Sequence, residues 1–235
     1  MNNTILAVKV EQRTNKLSSA DYGNIEWWMI IEAFNKAQDA WVRRQLEGIN
    51  QTRTGNEGSI RRIDDLQCIL TTWTGSFVDM GIYWESSTFP PDYLEWCRID
   101  AKAVKECVEC PPRPLTIFAG NEADVSLYLA DANRQPTYDW ATTFSTLINN
   151  KFRIWTNEQF DIVEPLVTYY KTPVHIQILG YTNPDTGVVS TVDVLCEFPD
   201  NVIELMIDDA AAILCRDMRD LQQAQALNQS AEFNN

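Results

Sequence analysis

Histidine is almost missing from this chain: one residue in 235, His175. Imidazole is the side chain that trades a proton most readily near neutral pH, so its scarcity removes the commonest general acid or base. Also missing are a Gly-x-Ser-x-Gly elbow for a serine nucleophile, a Gly-rich phosphate loop followed by Lys, and a dinucleotide fingerprint. No apolar run approaches the length needed to span a bilayer. The opening Met1-Asn2-Asn3-Thr4 has neither the basic start nor the apolar centre of a signal peptide. The expectation is a soluble protein made in a cytoplasm.

Positive charge is scarce too. The chain has 19 Lys and Arg against 33 Asp and Glu, a net charge of -14. Residues 1–65 hold nine of each sign, which leaves the rest of the chain with 10 basic and 24 acidic residues. Such a surface repels phosphate backbones and excludes nonspecific nucleic-acid binding. Solubility is the plain reading; a surface past which DNA slides without sticking is the sharper one. Cysteine is present but scattered, at 68, 97, 107, 110, 196 and 215. A chain this long does not need a disulfide framework, so reduced thiols are expected.

What the chain does have is 45% hydrophobic residues and eight Trp, enough for a sizeable core. Residues 1–20 are polar and without a clear period, and read as an extended arm or flexible lead-in. Asp21 or Asn24 can cap a helix over 25–46 that Gly48 stops. Trp27, Ile30, Ile31, Phe34, Ala37 and Trp41 form its apolar stripe, and Trp28 lies off it, so the helix should touch something on a second side. A second helix is expected from Ser59, with Ile60, Ile63, Leu66 and Leu70 on one face. Arg43, Arg44, Arg53, Arg61 and Arg62 cluster around this pair; pairing with Glu47, Glu57, Asp64 and Asp65 explains them first, and a subunit interface second.

From about residue 73 the period shortens. Cys97, Ile99, Ala101 and Ala103 alternate with Arg98, Asp100 and Lys102, as in a half-buried strand. After the Pro-rich link 110–114 come a strand over 115–119 and a helix over 121–130 with Val125 and Leu129 inward. Asp131 to Asp139 is a loop. Asn149-Asn150 reads as the hairpin turn between strands 143–148 and 151–155, because Asn tolerates positive φ. A strand over 160–170 contains Pro165, which implies an edge position or a bulge. Residues 183–187 form a turn leading to a strand over 188–195. The last helix starts at Pro199-Asp200 and buries Val202, Leu205, Met206, Ala210, Ile213 and Leu214; a Gln-rich tail follows.

The class is therefore α+β: N-terminal helices, a central, mostly antiparallel β-region with a short helix, and a C-terminal helix. The segments are an arm at 1–20, helices at 21–72, the β-region at 73–198, a helix at 199–221 and a tail at 222–235, all in one integrated domain.

Chemistry has few places to sit. His175 alternates with apolar residues and reads as a strand residue with one polar hydrogen bond. Cys107-x-x-Cys110 is the one metal-like spacing, and the other two zinc ligands would have to come from Cys97, Cys68, Cys196 or His175, none of them in a second pair. The pairs Asp64-Asp65 and Asp208-Asp209 point in different directions on a helix and make no acid/base couple. Asp208-Asp209 reads as the solvated edge of the last helix, and Asp64 and Asp65 as partners of Arg61 or Arg62. No residue is put forward as catalytic, cofactor-binding or metal-binding, and no enzymatic activity is expected.

Three segments together resemble virion proteins of tailed phages, the connector and tail-ring proteins of crAss-like phages. The first is Asn24-Ile25-Glu26-Trp27-Trp28 running through Glu32-Ala33-Phe34-Asn35-Lys36-Ala37-Gln38 to Trp41-Val42-Arg43-Arg44-Gln45-Leu46-Glu47-Gly48. The second is Arg61-Arg62-Ile63-Asp64-Asp65-Leu66-Gln67. The third is Tyr169-Tyr170-Lys171-Thr172-Pro173 with the later Cys196-Glu197-Phe198-Pro199 and its helix. The resemblance implies a ring of about a dozen identical subunits in the neck of a virion, touching the portal and adjacent tail proteins and passing genomic DNA through its lumen without reading its sequence. The adaptor directly under the portal is the first choice. A ring further down the tail barrel is the second, and a small zinc-binding module the distant third.

Overall fold

The computed structural model describes residues 1–14, 25–47, 64–105, 111–182 and 187–217. Among them are helices α1 (Asn3–Thr14), α2 (Trp27–Glu47), α3 (Val125–Ala130) and α4 (Asp200–Asp217). The strands are β1 (Leu70–Trp73), β2 (Phe77–Asp79), β3 (Tyr83–Ser86), β4 (Tyr93–Val104), β5 (Arg113–Pro114), β6 (Thr116–Ala119), β7 (Thr142–Ile148), β8 (Lys151–Trp155) and β9 (Asp161–Lys171). The class is α+β. In place of one integrated domain, the chain forms two compact units: Met1–Ile69 with Pro173–Asn235, and Leu70–Thr172. The apolar faces of the first and last helices need each other, so the two ends of the sequence make one helical unit and the strands form an insert.

In the helical unit, α4 packs against both α1 and α2. One stripe would not serve two neighbours, and Ile203, Ile207, Ala211 and Cys215 are buried together with the expected Val202, Met206, Ala210 and Leu214. Leu205 and Ile213 are only half-buried. Each fully buried Ile, Leu or Met is worth roughly 1.5–3 kcal/mol, so this helix is a main source of the unit's stability. Its start is as expected: the Pro199 carbonyl accepts from the N–H groups of Val202 and Ile203, both at 3.0 Å.

Residues 3–14 are helical and not an extended arm. Leu6, Ala7 and Val10 make a narrow buried stripe, and the polar residues between them pair with α4. Lys9 and Arg13 both bond Glu204, the Arg13–Glu204 contact being 2.8 Å, and Arg13 also holds Asp208. In α2 the expected stripe is buried from Ile30 to Trp41, but Trp27 is not part of it: Trp27 and Trp28 are both about two-fifths exposed. The expected caps at Asp21 or Asn24, the stop at Gly48 and helix residues 59–63 lie outside the described residues. Where that second helix should continue, Gln67–Ile69 make a 3-10 turn and Leu70 opens β1.

The β unit has a four-stranded antiparallel sheet in the order β1-β9-β4-β5 and a five-stranded sheet in the order β2-β3-β8-β7-β6, in which only β6 and β7 run parallel. One apolar cluster joins Ile99, Ala101, Ala103, Ile162, Val167 and Tyr169 of the first sheet to Phe152 and Ile154 of the second. The alternation of β4 thus buries the face that its sequence marks. Asn149 and Asn150 turn β7 into β8 with φ of 51° and 54°. Pro165 is accommodated by a bulge: Asp100 faces Leu166 while Lys102 faces Val163, and Glu164 takes a positive φ of 53°. The β-region ends at Lys171 and Thr172, well short of residue 198. Over 188–195 there is no regular strand, only the isolated bridges Gln177↔Val194 and Thr182↔Val189.

Candidate assembly surface

The helical unit carries a ribbon, residues 174–182 and 187–196 among those described, held down at its base by the polar face of α2. Asn35, Gln38 and Asp39 recur at helical spacing and take the place of a neighbouring strand. Asn35 Oδ1 accepts from the Ile176 N–H at 3.0 Å and its Nδ2 donates to the Ile176 carbonyl at 3.3 Å. Buried Gln38 donates to the Val174 carbonyl at 3.1 Å. Asn3 of α1, also buried, donates to the carbonyls of Gln177 and Val194, each at 2.9 Å, and so ties both runs of the ribbon to the helices. At its far end the ribbon rejoins the core through Phe198, whose ring meets Trp41 edge-on at 5.5 Å.

Beyond that base the ribbon turns its apolar side chains outward. Leu179, Val188, Val189, Val192 and Leu195 are between 53% and 64% exposed. Residues 172–196 contain no Lys, Arg or Glu and only two Asp, and Asp193 is occupied within the ribbon by the Leu179 N–H at 2.8 Å. Beside the ribbon, Glu26, Trp27, Trp28 and Ile31 and residues 178–182 line an open groove of about 350 Å³. Exposed apolar surface concentrated in this way, on a chain otherwise rich in charge, marks a contact surface.

His175 does not sit in a strand. Its Nε2 lies 3.1 Å from Asp39 Oδ2, both side chains half exposed, in a hollow of about 340 Å³ shared with Asn35, Tyr181, Val188 and Ser190. None of the residues lining that hollow is a cysteine. Burial pushes the Cys196 thiol above its ordinary pKa and so disfavours the thiolate that a metal or an electrophile needs. Cys97 belongs to the β unit, and Cys68, Cys196, Cys215 and His175 to the helical unit. Among the described residues no three His, Cys, Asp or Glu side chains are gathered as metal ligands. Cys107 and Cys110 lie outside the described residues.

The adjacent acids of α4 do point apart, but not to solvent. Asp208 bonds Arg13 of α1, and Asp209, nearly buried, bonds Arg44 of α2. Burial raises the Asp209 carboxyl above its ordinary value, against the pull of the Arg44 guanidinium. Arg44 is therefore taken by Asp209 and not by Glu47, Asp64 or Asp65; Arg53, Arg61, Arg62 and Glu57 lie outside the described residues. In the β unit, Glu85 is buried between Lys151 at 2.6 Å and Arg153 at 2.9 Å. Those hydrogen bonds, Lys151 first, hold its carboxyl below the ordinary range. Arg153 also bonds Glu122 at 3.1 Å and lies over the Tyr83 ring at 4.7 Å. Every charge in this group is answered, as in a structural pin.

No protein-family model matches the chain, and no curated protein matches it. No helix among the described residues is long and apolar enough to cross a membrane.

The segments that carried the phage resemblance have separate places. Tyr169 belongs to the core of the β unit, and its hydroxyl donates to Asp92 at 2.8 Å. Phe198 and Pro199 begin α4, and Asn35 and Gln38 hold the ribbon. Sequence reasoning missed the ribbon as a contact surface. The signal that could have found it is its charge gap: 25 residues with two acids and no lysine, arginine or glutamate, in the acidic part of the chain.

Proposed function

We propose that this chain is a structural subunit of a phage virion, forming a ring in the head-to-tail connector below the portal, and that it performs no chemistry. The observation that carries the reading is the exposed, nearly uncharged ribbon of the helical unit. Copies of a chain with net charge -14 repel one another. They can associate only where like charges are not brought together, and the ribbon is such a surface. A cyclic ring needs that self-contact and gains solubility, and a lumen that does not bind DNA, from the acids elsewhere. The resemblance of the three quoted segments to crAss-like phage ring proteins points to the same role.

The test is a native mass measurement of the purified chain, alone and with the portal protein of the same virus, paired with electron microscopy. Closed rings of about a dozen copies that bind the portal are the expected result. A chain that stays monomeric under both conditions overturns the reading.

A further inference from the structure

Resting on that ring reading, we infer that the subunits join head to tail, with the ribbon of one copy seated in the Trp27/Trp28 groove of the next. A ring closes only through two different surfaces on each subunit, one given and one received, since a self-matching patch yields pairs instead. The helical unit offers two. The given surface is the return run of the ribbon, whose Val188, Val189, Val192 and Leu195 stay 53–64% exposed in their own subunit. The receiving surface is the groove of about 350 Å³ between the first turns of α2 and residues 178–182, walled by two tryptophans that are each about two-fifths exposed.

Charge selects the occupant. The return run 188–195 carries one charged residue, Asp193, already bonded within its own ribbon, and among the described residues that line the groove one, Glu26, is charged. A basic partner would find little acid in the groove to pair with. A copy of this chain brings its own neutral run and sets no block of acids against another. Tryptophan walls around small branched side chains are also what the energetic centre of an interface is made from. The occupant is therefore a second copy of this chain.

Two variants of the full-length chain test this, one damaged on each surface: Val188→Asp with Val192→Asp, and Trp27→Ala with Trp28→Ala. All four positions are exposed, so unchanged circular dichroism and melting show that the fold survives. Alone, each variant should lose rings and run as a monomer. Mixed, they should form one-to-one pairs and no rings, because each mixture has one intact ribbon facing one intact groove. A photo-crosslinking amino acid at position 189 should capture the segment around 26–31 of another copy. Rings that persist in either variant, a mixture that stays monomeric, or crosslinks only to other segments overturn the head-to-tail contact while leaving the ring reading standing. A wild-type chain that never assembles, with or without the portal, overturns both.

Discussion

Trp41 is 1% exposed, and its ring makes a T-shaped contact with Phe198, the residue before the proline that starts α4. Trp41→Ala would leave a cavity where α2, α4 and the end of the ribbon meet. The expected cost is about 3–5 kcal/mol, read as a lower denaturation midpoint by urea titration. A variant as stable as the parent would show that this contact does not hold the unit. Glu85 tests the β unit through pH. Its carboxyl is lowered from an ordinary 4.5 in the folded chain by Lys151 and Arg153. A lowered pKa contributes stability that is fully present above the unfolded value and is lost as pH falls through the folded one. Glu85→Gln should therefore reduce the melting temperature at about pH 7 and flatten its fall as pH drops below the ordinary 4.5. An acid limb as steep in the variant as in the parent would assign the acid sensitivity elsewhere. Glu204, lowered by Lys9 and Arg13 against its burial, works in the same direction in the helical unit.

Among the elements, the ribbon depends on side chains that imitate a strand. Asn35→Ala removes both bonds to Ile176 and leaves a backbone N–H and carbonyl without their partner. The expected cost is about 1–3 kcal/mol. Amide exchange should speed up at residues 174–177 ahead of the rest of the helical unit, and uniform exchange would show that the ribbon is not held there. The elements that could be read in advance are those whose signal lies in their own residues, whichever strand or helix they meet. The alternation of β4, the Asn149-Asn150 turn, the bulge at Pro165 and the start of α4 are of this kind. Those misread depend on distant partners. The polar residues of α1 looked like an arm because Lys9 and Arg13 find Glu204 and Asp208 almost 200 residues away. Asp209 looked solvated because Arg44 is 165 residues away in sequence. Residues 188–195 have a strand's composition but only isolated bridges to pair with, so their apolar side chains stay outside. Of the candidate surface, the off-stripe Trp28 was visible in the sequence, and the ribbon beside it was not.

For the molecule as a whole, net charge and the neutral ribbon make opposite demands that salt can separate. Raising ionic strength from about 0.01 M to 0.15 M shortens the screening length from roughly 30 Å to 8 Å. Repulsion between chains of charge -14 then weakens, while an apolar contact does not. Sedimentation velocity across that range should show assembly increasing with salt; assembly that dissolves as salt is added would mean ion pairs hold the copies together. The discontinuous helical unit has a consequence of its own. About 150 residues separate the end of α2 from the start of α4, so a ribosome adding 5–20 residues per second keeps α1 and α2 waiting on the order of 10–30 s for α4. The inserted strands can complete their sandwich meanwhile. A nascent polypeptide cut short before α4 emerges can fold the insert but leaves the apolar faces of α1 and α2 without the helix that covers them, so the helical unit closes only once α4 has been made.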